Sequence, residues 1–325
     1  MQSELSAPHF HNEEAAIAYV EARLWPQGAV CPKCGVVGNA GKLAPQKSKP
    51  SKKHPDGKPV LGLWKCYACR RQFTVRVGTV FESSHVPMRI WLQTFYLMAS
   101  SKKGIATRQL HRTFGGSLKT AWFLGHRVRE AMKTLGFDDP GPLGGANAVV
   151  EADETYVGGK AANRKNHIPS KEVVLSLVER DGRVRSFHVP NVTAATLGPV
   201  IRANINRASY LMTDDSPVYP KIGESFAGHG TVNHSAHEYV RGTFWHTNTV
   251  ENYFSIFKRG IYGCYFHVSG AHLHRYAAEF DFRHNNRSRL GVEDIERADL
   301  ALMGAAGKRL TYRTVGGDGA ATPLA

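Results

Sequence analysis

Two Cys-x-x-Cys steps, Cys31-Pro-Lys-Cys34 and Cys66-Tyr-Ala-Cys69, constrain the N-terminal part of this chain more than any other feature. Each step places two thiolates on one tight turn, and two such turns complete a tetrahedral four-thiolate site for a single Zn2+. A site closed by four sulfurs has no open coordination position, so its role is structural. Four unrelated cysteines are the bland alternative, and the Gly or basic residues flanking both turns argue against it. A redox role lacks the thioredoxin-like strand and helix around either pair. Cys264 stands alone, and an odd total of five argues against a disulfide framework. Between the pairs, residues 42–58 are rich in Lys and Pro and read as a solvated loop.

A zinc ribbon accounts for a small part of 325 residues, and a chain of that length is expected to hold two or three domains. Lys and Arg outnumber Asp and Glu by 42 to 27, giving a net charge of +15 and a pI near 9.7. An excess of that size implies a polyanionic partner, with nucleic acid ahead of an acidic membrane surface. No apolar run reaches the length of a spanning helix, and the N-terminus lacks the basic start and apolar stretch of a secretory signal. A cytoplasmic protein with reduced thiols is expected.

Along the chain, 12–25 reads as an amphipathic helix capped by Asn12, and the N-terminal helix and ribbon together span 12–80. Residues 85–136 form a helix-turn-helix-like region of three helices. Ile90, Trp91, Phe95 and Met98 line the first, and Ala106, Leu110 and Phe114 the second. The third is capped by Ser117 and has Leu118, Ala121, Trp122, Gly125 and Met132 inside. Lys119, Arg127, Arg129 and Lys133 give that third helix a basic side suited to DNA. A turn-rich linker at 137–147 leads into an α/β region at 148–303, followed by a flexible tail at 304–325. Strands are expected at 149–157, 172–179, 184–189 and 209–213, with a fifth at 230–233. Helices are expected at 196–206, 249–258 and 271–284. This is the element order of a ribonuclease H-like mixed sheet flanked by helices, although order alone is a weak signal.

Cutting or joining phosphodiesters with two metal ions requires acids that converge from separate elements. Asp153 lies inside a Val-rich strand, where an ionised carboxylate is costly unless compensated. Asp214 ends the fourth strand, and Glu251 lies on a helix with Lys258 two turns later on the same face. The alternatives are concrete. Asp153 can pair structurally with Arg283 or Lys160, and Glu151 or Glu154 can take its place. Asp215 can replace Asp214, and the Glu251–Lys258 face can be merely solvated. His229, His234, His237 and His246 match no metal-site spacing and read as surface or DNA-facing. No phosphate-binding loop or serine-hydrolase elbow is present. Tyr253, Tyr262 and Tyr265 are available to a tyrosine recombinase but fit less well than the acids.

The blocks VEADETYVGGK, LMTDDSPVY and HTNTVENYFSIFKRGIYG, together with HLHRYAAEFDFRHNNR, resemble insertion-sequence transposases of the DDE superfamily. The subgroup is the one with an N-terminal zinc ribbon and helix-turn-helix region, and the similarity runs from about Glu14 to Arg287. The resemblance implies that Asp153, Asp214 and Glu251 hold two Mg2+ (or Mn2+) ions, with Asn248 as the alternative third ligand. It implies that Lys258 contacts DNA, with Arg259 beside it, and it favours Asp214 over Asp215. It further implies double-stranded DNA as partner, a homodimer or higher assembly on DNA, and association with the chromosome. A nuclease that cuts without joining and a non-catalytic DNA binder are the rival readings.

Overall fold

The computed structural model describes residues 3–50, 52, 55–57, 59–133, 139–158, 171–232 and 246–311. Helix α1 (Glu13–Leu24) starts where the Asn12 side chain accepts the Ala15 amide, as its sequence predicts. Five short strands follow: β1 (Ala40–Lys42), β2 (Gln46–Lys47), β3 (Pro59–Val60), β4 (Trp64–Cys66) and β5 (Gln72–Phe73). Strands β1, β4 and β5 form an antiparallel sheet around the cysteines, and β2 pairs with β3 inside the Lys-rich insert. The expected solvated loop is therefore a largely exposed two-stranded extension.

Helices α2 (Met88–Ser100), α3 (Thr107–Phe114) and α4 (Leu118–Met132) come next, α4 capped by Ser117. They share a core with α1 through Ile17, Val20, Phe81, Trp91, Phe95 and Leu124. Leu118, expected inside, is 46% exposed because it begins α4 beyond the reach of that core. A further helix, α9 (Asp294–Met303), closes the same core with Ala298, Ala301 and Leu302. The sequence places these residues with the sheet region at 148–303; in the structure this C-terminal part of the chain returns instead to the N-terminal helices. No described helix is long and apolar enough to cross a membrane.

The central sheet contains β6 (Val149–Val157), β7 (Glu172–Glu179), β8 (Val184–Val189), β9 (Tyr210–Asp214) and β10 (Gly228–Val232). Their spatial order is β10-β9-β6-β7-β8, and only β7 runs against the rest. Strand β7 is apolar on both faces because helices cover both sides of the sheet. On one side α5 (Ala194–Asn204) and α6 (Pro220–Gly223) pack through Leu197, Ile201 and Ile222 against Val150, Ala152, Leu175 and Leu177. On the other, α7 (Asn248–Gly260) and α8 (Gly270–Asn285) pack through Val250, Phe257, Leu273 and Phe280 against Val157, Val174 and Val178. One π-helical turn, Ile261–Tyr265, extends α7.

Candidate functional site

The thiols of Cys31, Cys34, Cys66 and Cys69 lie within 4.8 Å of one another. The Cys31–Cys69 and Cys34–Cys66 sulfur separations are both 3.7 Å. Four sulfurs about 2.3 Å from a tetrahedral zinc stand roughly 3.8 Å apart, so the cluster has the right dimensions. The two turns are built alike: Gly35 and Arg70, each directly after a second cysteine, both take positive φ (74° and 59°). Burial works to raise the Cys31 thiol, but backbone hydrogen bonds at Lys33 and Cys34 bring it down to about 7. The ribbon rests on α1, where Glu21 accepts from Trp64 Nε1 at 2.8 Å and pairs with Lys42 at 2.9 Å.

The acids are positioned by strand register. Alternation along β6 sends Val150 and Ala152 toward α5, and therefore Glu151 and Asp153 toward α7. Parallel pairing sets Glu151 against Met212. Carried two residues further, that register brings Asp214, the last residue of β9, beside Asp153 on the same face. Burial, and then the charges of Glu154, Asp214 and Glu251, push the Asp153 carboxyl up to about 7. Asp153 thus senses all three neighbouring acids. Arg283, its suggested structural partner, is engaged by Glu279 instead, and Lys160 lies outside the described residues. Among the described residues, the cysteine quartet is the one group of three or more ligand atoms packed within 4.8 Å. The three acids share one field without forming such a group.

Glu151 is fully buried and serves a different end. It accepts from the backbone amides of Thr249 and Val250 at 2.8 and 2.9 Å, and from the Thr249 hydroxyl at 2.9 Å. Arg180 pairs with it at 2.7 Å, and His246 Nδ1 lies 3.2 Å away. A carboxylate on the first-turn amides of a helix satisfies orphan donors and complements the positive helix end. Glu151 therefore fixes α7, and with it Glu251, against β6. Sequence reading treated it as a stand-in for Asp153; the available signal was strand alternation, which puts both on one face two residues apart. Glu154 lies on the opposite face, accepts the Tyr219 hydroxyl, and is raised by burial. Asp214 accepts the Ser216 amide at 3.2 Å, whereas Asp215 is exposed.

Glu251, Lys258 and Arg259 lie exposed on α7, with Asn248 as its first residue, and Arg259 donates to Ser255. The basic side expected on α4 is largely internal. Arg129 is buried and pairs with Glu279 at 2.7 Å. Arg127 is buried and donates to the Val80 and Glu82 carbonyls at 2.7 and 2.8 Å. Lys133 is half-buried and bonded to Glu130, so of the four cations Lys119 alone is exposed. The C-terminal half of α4 is wedged against α8 and the 80–82 segment, which is why these arginines cannot face DNA. His229 is half-buried, its ring 2.9 Å from the Thr213 hydroxyl, and burial lowers its pKa. His234 and His237 fall outside the described residues. Tyr253 and Tyr265 are interior and donate to Asp281 and Glu279, which leaves neither free as a nucleophile.

Residues 142–285 match the family described as the ISXO2-like transposase domain, and residues 11–72 match the transposase zinc-ribbon domain. A Halobacterium salinarum protein, described as an uncharacterized protein in transposable element ISH50, is 28% identical over 272 residues. That alignment covers 78% of this chain and 84% of the relative. An uncharacterized transposase-like protein of Haemophilus influenzae is 30% identical over 104 residues, covering 32% of this chain and 82% of the relative. With its cysteine quartet and helix-flanked sheet in the stretches so matched, the chain belongs to the insertion-sequence transposases that join a transposase zinc ribbon to an ISXO2-like transposase domain.

Proposed function

We propose that this chain cleaves DNA at the ends of an insertion element and joins the freed 3′ ends to target DNA, using Asp153, Asp214 and Glu251. The observation that carries the reading is positional: Asp153 and Asp214 lie on adjacent parallel strands and face the helix that bears Glu251, close enough for the charges of Asp214 and Glu251 to act on Asp153. Hard oxygen donors with surplus negative charge suit Mg2+ or Mn2+, so the donor set fits these ions. Bound there, divalent ions would activate a water or a 3′-hydroxyl and offset charge on the attacked phosphate. Asp153 and Asp214 supply donors from adjacent parallel strands, and Glu251 supplies one from a helix that Glu151 holds in place. Lys258, two turns beyond Glu251 on the same face, meets the DNA backbone. Glu251 is preferred to Asn248 because a carboxylate brings a negative charge to a divalent ion that a neutral amide lacks.

The strand order β8-β7-β6-β9-β10, with β7 alone reversed, supports a ribonuclease H-like reading of the sheet. Helices α2 to α4, with a short turn between α3 and α4, support a helix-turn-helix reading of the DNA-binding unit. The proposed units are thus a ribbon at 12–80, a helical unit at 85–136 that recruits α9, and the sheet with α5 to α8. Joining two ends calls for at least a dimer on double-stranded DNA. Asp153→Asn and Glu251→Gln should each abolish metal-dependent nicking and strand transfer of a pre-cleaved 3′ end while leaving DNA binding within about twofold. Full activity in either variant would remove the assignment. Cleavage without strand transfer by the unaltered chain would instead indicate a nuclease.

A further inference from the structure

The exposed face of α7 continues past the acid. Positions four, seven, eight and eleven residues beyond Glu251 return to nearly the same side of a helix. They are Ser255, Lys258, Arg259 and Tyr262, all exposed, while Tyr253, Phe254, Phe257 and Ile261 turn inward. At its far end this stripe enters an open groove lined by Lys103, Lys258, Arg259, Tyr262 and Gly263. The opposite wall is the turn between α2 and α3, and two contacts hold it there. The Cys264 thiol donates to the Gly104 carbonyl at 3.2 Å. At Gly260 the approach is so close that a Cβ would stand 2.9 Å from the Lys103 carbonyl oxygen.

The groove is strongly positive. Among the described residues, none of Lys103, Lys258 and Arg259 is paired with a carboxylate. The space beside Gly263 is open, since a Cβ there would meet nothing within 4 Å. Tyr262 leaves 42% of its surface in water, beside cations rather than over a core. Cations and an exposed ring in one groove suit a polymer that offers phosphates and a flat base face together. An intact duplex offers the phosphates but keeps its base faces stacked.

We propose that this groove binds an unpaired stretch of DNA strand, its phosphates held by Lys103, Lys258 and Arg259 and one base stacked on Tyr262. The proposal rests on the reading of Glu251 as part of the active site, because the stripe carries the strand from that acid to the ring. Stacking accepts any base, so the groove favours unpaired DNA regardless of sequence.

The test uses the full zinc-loaded chain bearing Asp153→Asn, without added Mg2+. Its probes are short duplexes, either blunt or extended by a single-stranded tail containing a fluorescent adenine analogue. The extended duplex should bind roughly tenfold tighter than the blunt one and lose fluorescence on stacking. Tyr262→Ala should remove both effects, whereas Tyr262→Phe should keep them. Lys103→Gln should weaken binding of the extended duplex and reduce the slope of log affinity against log salt by about 0.7. Equal binding of the two DNAs, or quenching that survives Tyr262→Ala, would overturn the proposal. These readouts are of binding, so their failure leaves the carboxylate assignment intact. Catalysis by the Asp153→Asn chain would remove that assignment by a separate measurement.

Discussion

His126 is wholly buried on α4, its ring 4.0 Å from that of Trp122 and 5.5 Å from that of Tyr276. Burial, and then the charges of Arg129, His272, Arg275 and His274, lower its pKa to about 2. In the unfolded chain the same imidazole takes a proton near pH 6.5. Between those values the unfolded state binds the extra proton, so stability falls as pH falls through this window. By pH 5 the loss from this one group is about 2 kcal/mol. His126→Phe keeps an aromatic ring in the stack and removes the titration, so thermal melts from pH 7 to pH 5 should drop less steeply than in the unaltered chain. An unchanged pH dependence would show that His126 takes up its proton in the folded chain as readily as in the unfolded one. None of this could be read from the residue itself, because a lone His on a helix has no periodic signature. Arg127 and Arg129 taught the converse. Basic residues at helical spacing looked like a DNA-facing side, and only the packing of α8 against α4 reveals that they point inward. The acids were more legible, since a carboxylate within a Val-rich strand is conspicuous by its cost.

Among elements, the ribbon was legible as chemistry and illegible as secondary structure. Its strands are two or three residues long, too short for any alternation to show, whereas β6 and β7 announced themselves by eight or nine residues of apolar pattern. The ribbon's core is equally slight: Ala29, Cys31, Cys66 and Phe73 are its buried members, packed by Trp25 and Trp64. So little apolar burial cannot hold a fold of this size, and metal coordination must contribute the rest. Stripping zinc with a chelator, or replacing Cys34 with Ser, should release one zinc per chain and collapse the near-ultraviolet signal of the Trp25–Trp64 edge contact, whose centroids are 5.8 Å apart. The sheet, which has its own cores on both faces, should keep its far-ultraviolet spectrum. A ribbon whose tryptophan signal survives metal loss would refute the structural role. Helix α9 is hard to read for a related reason: its buried face holds an arginine, two alanines and a single leucine, which give a weak periodic signal.

At the scale of the whole molecule, a buried ionic contact joins the helical unit to the sheet and its helices. Glu279 on α8 is fully buried between Arg129 of α4, at 2.7 Å, and Arg283 one turn along its own helix. The Tyr265 hydroxyl, from the turn that extends α7, donates to the same carboxylate at 2.7 Å. Burial opposes its charge, yet the two guanidiniums hold the Glu279 carboxyl below the usual carboxylate range. One acid therefore ties α4, α8 and the end of the Glu251 helix together. The two halves of this link should respond unequally to mutation. Glu279→Ala strands two buried guanidiniums without a counter-charge and should cost about 3–5 kcal/mol in denaturant melts. Arg129→Met leaves the acid paired with Arg283 and fills the same volume with an apolar chain, so its cost should be less than half as large. Arg129→Met should also leave the affinity for DNA unchanged, because the residue it removes never reaches the surface. A large loss of binding in a well-folded Arg129→Met chain would mean that α4 turns its arginine outward when it meets DNA. Equal losses of stability in the two variants would mean that the pair, rather than the three-way node, carries the joint.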